Sequence, residues 1–327
     1  MADKTRWGIL ATGRIAHSFA TGLKALPDAE LVAVGSRAQE SADKFAAEFN
    51  VPRAHASYEA LAADPQVDAI YVSTPHPMHK DNTILCLNAG KAVLCEKPFT
   101  INARDAAEVV AVARRKKVFL MEAMWSRFLP PVAAVRKMLA DGAVGDVRMV
   151  SADFGFRAGE NPASRLFDPA LGGGGLLDVG VYAVSFCSMV LGEAAEVAGV
   201  AEIGGTGVDS QAAVVMKYAG GRIGQIATGV RTGTPMEATI MGTDGYIRLH
   251  RPWWRGGRVT LHRGDAVVWT IDEPVAGNGY NYEAAEVAAC LRAGKTESAV
   301  MPLDETLAIM RTLDRIRAQW GLKYPME

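Results

Sequence analysis

Two stretches of the chain set proton-exchanging side chains inside otherwise apolar patterns. The first is Ala92-Val93-Leu94-Cys95-Glu96-Lys97-Pro98. An apolar run bounded by a breaker reads as a buried strand. Pro98 cannot continue a strand ladder, so the chain must turn there. Glu96 and Lys97 are left at the C-terminal edge of a strand, where open parallel sheets bind their ligands. A lysine fixed there serves packing poorly and chemistry well. The second stretch follows the glycine run Gly172 to Gly175 and reads Leu176-Leu177-Asp178-Val179-Gly180-Val181-Tyr182. Asp178 and Tyr182 are four apart and share one helical face. A polar pair in an apolar helix needs partners if it is buried, and Gly180 between them would admit a ligand closely. Carboxylates, lysines and phenols are the groups that move protons in acid–base catalysis.

The elements around the first stretch alternate strand and helix. Residues 6–10 read as a strand, followed by Ala11-Thr12-Gly13-Arg14-Ile15-Ala16 and a helix with Ile15, Phe19 and Leu23 on one face. With Gly8 in front, this is a variant of G-x-G-x-x-G/A, with Ala11 and Ala16 in two glycine slots. Such a turn brings backbone N–H groups at a helix start close to a pyrophosphate. The next strand, Leu31 to Val34, ends in Gly35-Ser36-Arg37. An NAD site would place an acid near here for the ribose 2′-hydroxyl. A hydroxyl and a guanidinium suit a 2′-phosphate instead, so NADP(H) is expected over NAD(H). Helices are expected at 41–49, 58–62, 81–89 and 100–117, and further strands at 69–72 and 118–121. This is a Rossmann-type α/β domain with a parallel sheet, assigned to residues 1–124.

From Gly145 the texture changes to strands at 147–156, 195–203, 210–218, 222–230, 237–241, 246–249, 259–263 and 266–271, several joined by hairpin-like turns. Residues 125–327 therefore read as an α+β domain with a large, mostly antiparallel open sheet. Helices are expected at 131–141, from Tyr280 and Tyr282 to Leu291, and, amphipathic, at 303–320.

Hydrophobic residues make up 49% of the 327, and the formal net charge is −1. Nothing in that balance calls for nucleic acid. The four cysteines lack ligand spacing, so reduced thiols and no metal site are expected. The N-terminus carries no signal-like stretch and no segment approaches the ~20 apolar residues of a membrane span. A cytoplasmic protein with no membrane association is the expectation.

A third motif, Met121-Glu122-Ala123-Met124-Trp125-Ser126-Arg127-Phe128-Leu129-Pro130, resembles the M-E-A-x-W-x-R-F-x-P segment of one enzyme family. Together with the nucleotide turn, Glu96-Lys97-Pro98 and Asp178 to Tyr182, it makes the whole chain similar to the Gfo/Idh/MocA oxidoreductases, in particular the dimeric dihydrodiol and D-xylose 1-dehydrogenase branch. The resemblance implies that Thr74, Pro75, His76 and His79 hold the nicotinamide ribose, and that Glu96, Lys97, Met124, Trp125 and Arg127 lie at the cofactor. It implies Tyr182 as the acid/base. A free phenol titrates near ~10, and a neighbouring Lys97 ammonium would favour phenolate. Asp178 would orient the substrate or Lys97, and Phe154, Arg157, Arg165 and Tyr282 are further substrate candidates. The implied reaction is hydride transfer between NADP(H) and a hydroxyl or carbonyl carbon of a sugar or cyclic polyol. Alternatives are a sugar-ketone reductase, a glucose–fructose-type enzyme that retains its cofactor, and a non-catalytic dinucleotide-binding regulator. The family also implies a homodimer, or a dimer of dimers, through the large sheet, and a C-terminal helix packed back on the first domain.

Overall fold

The computed structural model describes residues 4–159, 161–272 and 274–327. The chain forms two compact units. The first comprises Met1–Thr100, Arg104–Trp125 and Ala276–Thr306, and the second Ile101–Ala103, Ser126–Val275 and Leu307–Glu327.

The strands of the first unit are β1 (Thr5–Leu10), β2 (Ala29–Gly35), β3 (Arg53–His55), β4 (Ala69–Val72), β5 (Ala92–Glu96) and β6 (Leu120–Ala123). They form one sheet in the order β3-β2-β1-β4-β5-β6, and every pair is parallel. Its helices include α1 (Arg14–Leu23), α2 (Gln39–Phe49), α3 (Tyr58–Ala62), α4 (His79–Asn88) and α5 (Ala103–Lys116). β4 and β5 are buried at every position, as expected of strands covered on both faces. Phe19 of α1 stacks on Tyr71 of β4 at 3.8 Å and meets Trp7 of β1 edge-on at 5.2 Å. The strand order reverses between β1 and β4, so a crevice opens beyond their C-terminal ends. The helix Tyr280–Arg292 also belongs to this unit and packs on α1.

Two expectations shift here. The strand expected at 118–121 lies at Leu120–Ala123, because Lys117 turns left-handed at φ 56° and Val118 N–H bonds back to Ala113 O, closing α5. The short edge strand β3 carries no apolar run and escaped the pattern altogether.

The second unit is built on an eight-stranded sheet: β7 (Val147–Gly155), β8 (Glu196–Ile203), β9 (Asp209–Lys217), β10 (Ile223–Gly229), β11 (Ala238–Gly242), β12 (Tyr246–Leu249), β13 (Val259–Arg263) and β14 (Ala266–Ile271). The order is β14-β13-β12-β11-β7-β10-β9-β8, antiparallel except for the β7–β10 pair. β9 alternates buried and exposed residues, so one sheet face is packed and the other open. The unit's first helix is α6 (Pro130–Ala140), and the packed face carries α7 (Val181–Leu191), preceded by one wide π-type turn, Leu176–Gly180. Contrary to the sequence expectation, the helical stretch Pro169–Leu191 has the length and hydropathy of a membrane span; 89% of its most apolar window is buried. A helix apolar on all sides belongs in a core. The last helix, Leu303–Ala318, joins this unit from Leu307 onward, where Arg311 pairs with Glu193 and Arg315 donates to the carbonyls of Ala194 and Ala195.

Candidate active site

The candidate dinucleotide residues of the first unit lie at the β1/β4 reversal. Gly13 is the N-cap of α1, and nothing lies within 4 Å of where a Cβ on it would stand. Backbone N–H groups at that helix start therefore face open space that a pyrophosphate could occupy. Thr12 and Ile15 are half-buried beside it, and Arg14 is exposed at the first helical position. Ala11 adopts φ 79°, a left-handed conformation that costs a non-glycine residue about 1–2 kcal/mol, with its N–H on Gly35 O at 2.9 Å. The turn has the shape of a glycine turn despite the alanine. Gly8 plays another part. It lies inside β1, and a Cβ there would stand 3.0 Å from Val67 and 3.1 Å from Leu61, so its bareness serves strand packing. Ser36 is buried at the end of β2, with its N–H on His55 O. Arg37 is exposed beside it and hydrogen-bonds the Tyr58 phenol, whose pKa burial raises. These residues fit a nicotinamide dinucleotide.

Beyond β4, the Thr74-Pro75-His76 loop is braced rather than free. Thr74 Oγ1 accepts from Asn82 at 3.2 Å. His79 is almost fully buried, with Nε2 2.9 Å from Thr74 O and Nδ1 2.8 Å from Pro98 O. It thus ties the ends of β4 and β5 together. Burial holds its pKa below the ordinary imidazole value. In the neutral ring one nitrogen donates and the other cannot. His76 is buried against it, with ring centroids 5.8 Å apart.

Glu96 and Lys97 end β5, and the Lys97–Pro98 peptide is cis. Glu96 is buried, accepts the Tyr71 hydroxyl, and takes the Lys97 N–H at 3.1 Å. Lys97 itself is half-buried. A second acid, Glu283 of the Tyr280–Arg292 helix, is fully buried with neither carboxyl oxygen hydrogen-bonded. Burial, then the Glu96 charge, pushes it well above the carboxylate range. Of the two acids, Glu96 has the hydrogen-bond donors that favour a carboxylate. Sequence reading missed Glu283, since a lone acid in a helix gives no signal of burial. Met124 and Trp125 are buried, and Trp125 stacks on Tyr280 at 4.6 Å. The Tyr282 hydroxyl accepts the Ala276 N–H at 3.2 Å.

The acid–base candidates Asp178 and Tyr182 belong to the second unit. Asp178 lies in the π-type turn and Tyr182 in the first turn of α7; both are buried. π-type turns recur at functional sites, and no sequence pattern announced this one. Asp178 Oδ1 accepts from Arg165 Nη1 at 2.8 Å, which links two of the predicted substrate residues. The close approach allowed by Gly180 is to Thr228 of β10, not the ligand expected from sequence: a Cβ there would stand 3.3 Å from its Oγ1. Phe154 of β7 leans on Tyr182 at 5.4 Å and stacks on Trp254 at 3.4 Å. Trp254 was not foreseen; its only trace was the Trp253-Trp254 doublet. Trp253 anchors that doublet through its indole N–H on Asp153 O at 2.8 Å. Arg157 is exposed and bridges to Arg231 in a strand-like pairing. Arg127 is buried and donates to the Ser185 hydroxyl at 2.9 Å and the Ser185 carbonyl at 2.6 Å, so within this unit it pins α7.

Residues 5–124 match the oxidoreductase family with an NAD-binding Rossmann fold, and residues 132–248 the GFO/IDH/MocA C-terminal domain. Trans-1,2-dihydrobenzene-1,2-diol dehydrogenase of Mus musculus is 41% identical over 98% of both chains, and that of Homo sapiens 39% over 98% of both. Among solved structures, the 3-ketoreductase KijD10 of Actinomadura kijaniata, with NADP and TDP-benzene, is 25% identical with TM-score 0.86 over 97% of this chain and 98% of its own. The aldose–aldose oxidoreductase of Caulobacter crescentus, with glycerol, is 23% identical with TM-score 0.87 over 97% of this chain and 98% of its own, a likeness of fold. The chain belongs to the Gfo/Idh/MocA family and is a nicotinamide-dependent oxidoreductase.

Proposed function

We propose that the chain oxidises a vicinal diol carried on a small ring, of the trans-dihydrodiol kind, with NADP⁺. The observation that carries this reading is the setting of Tyr182. Its ring borders the stacked Phe154–Trp254 pair, while the Asp178–Arg165 ion pair lies one turn away. An apolar aromatic wall suits a flat carbocycle, and a carboxylate suits the neighbouring hydroxyl. In this reading Tyr182 takes the hydroxyl proton as hydride leaves the same carbon. Bound nicotinamide supplies the hydride acceptor. Lys97 favours the phenolate and hydrogen-bonds the substrate oxygen, Glu96 fixes Lys97, and Asp178 orients the second hydroxyl. An aldose oxidised at the anomeric carbon is the second reading, favoured by the same ion pair. Purified protein is to be incubated with NADP⁺ or NAD⁺ against trans-dihydrodiols, aldoses and inositols, following nicotinamide absorbance. Turnover of a dihydrodiol is the expected result; turnover confined to aldoses would replace the first reading by the second. No turnover at all, with tight NADPH binding, would shift weight to a sugar-ketone reductase, an enzyme that retains its cofactor, or a regulator.

Ser36 and Arg37 support the NADP preference. Arg37→Ala is expected to weaken NADPH about 10- to 100-fold, the worth of a charge-assisted hydrogen bond, with NADH little changed. Fluorescence titration of both cofactors checks this, and equal losses would refute a 2′-phosphate role. The open face of the large sheet, with Val200 74% and Val215 48% exposed, supports self-association there. Four buried free thiols support a reducing, cytoplasmic setting.

A further inference from the structure

Asp209, the first residue of β9, is fully buried beneath the start of the helix that carries Asp178 and Tyr182. Its Oδ2 accepts the Leu176 N–H at 2.6 Å. Its Oδ1 has no hydrogen-bond partner. The glycine run makes the seat. A Cβ on Gly174 would stand 2.3 Å from Oδ1, and one on Gly175 3.2 Å from Oδ2. Gly174 also holds φ +110°, which side chains avoid. The first N–H groups of a helix have no partner within it. Here a carboxyl from a neighbouring strand supplies one, below the wide turn that presents Asp178.

We propose that Asp209 is a positioning residue for the reaction, seated among Gly173 to Gly175 to hold the helix start that presents Asp178 and Tyr182. The proposal rests on the acid–base reading of Tyr182. Its consequence is a pH dependence. Burial raises the Asp209 carboxyl to about 7, against backbone N–H groups that favour its anion. Ionisation as pH rises through that value strengthens the hydrogen bond from Leu176 N–H but leaves a charge in a buried seat, so the raised pKa means that the helix start loses stability as pH rises. Among the described residues the titratable group set against Asp209 is Tyr324, whose hydroxyl donates to Gly173 O at 2.7 Å.

The test follows deuterium exchange of residues 174–182 and kcat from pH 6 to 8 in wild type, D209N and D209A. In D209A both are expected to change about tenfold or more, exchange rising and kcat falling. NADPH affinity is expected to hold within about twofold, because the residues of the nucleotide turn and of the β2 end belong to the other unit. D209N keeps an acceptor oxygen for Leu176 N–H but cannot ionise. With the intrinsic base-catalysed rise of amide exchange divided out, it is expected to match wild-type protection within about threefold at pH 6, and to lose the change in protection between pH 6 and 8 that ionisation of Asp209 causes. Unaltered exchange in D209A, or a wild-type pH response in D209N, would overturn the proposal at Asp209 itself. Faster exchange with unaltered kcat would overturn it instead through the Tyr182 reading on which it rests.

Discussion

Tyr182→Phe is expected to lower kcat by about 10²- to 10⁴-fold, the usual worth of a positioned acid/base, while NADPH affinity stays within about twofold. The substitution removes one hydroxyl and leaves the ring. The contact with Phe154 at 5.4 Å is kept, and so is the burial of the first turn of α7. A large loss of turnover in a folded protein would therefore report on proton transfer and not on packing. Single-turnover measurement with a deuterated substrate adds a second reading. If the phenol takes the proton as hydride leaves, the mutant is limited by chemistry and shows the larger isotope effect. Near-wild-type kcat in Tyr182→Phe would remove Tyr182 from the reaction and leave it as a core aromatic.

Lys97→Ala is expected to cost about 10²-fold or more in kcat, because in the proposed mechanism it removes both the cation that favours phenolate and a donor to the substrate oxygen. Its signature lies in the pH profile. Without the ammonium the phenol becomes harder to ionise, so residual activity climbs to higher pH than in wild type. That shift separates the electrostatic role from mere loss of a contact. Local geometry argues that the mutant folds: Lys97 is half-buried, whereas Glu96 behind it keeps its bond from the Tyr71 hydroxyl. A Lys97→Ala enzyme with lowered kcat but an unmoved pH optimum would leave the lysine as a hydrogen-bond donor only.

Much of this was legible in the residue order. Strand β5 was read from an apolar run stopped by Pro98, and β12, β13 and β14 were read to the residue from their alternation and turns. Those are local properties, set by neighbours in the chain. Asp178 and Tyr182 stood out because polar groups in an apolar helix carry a burial cost visible in one dimension. The burial of Trp254 against Phe154 was not legible, since the two lie a hundred residues apart in sequence. Nor was the absence of hydrogen bonds around Glu283, which depends on what surrounds it from every side.

By itself, the sequence determined the alternating strands and helices and marked Lys97, Asp178 and Tyr182 as candidates, because periodicity and breaker residues act over a few positions. Only the tertiary structure decided that residues 276–306 return to the first unit. The same holds for the left-handed Ala11, for Gly8 and Gly180 as packing glycines, and for the carboxyl of Asp209 beneath Leu176. Each of these depends on a neighbour distant in the chain, and such a neighbour is supplied only when the chain has folded.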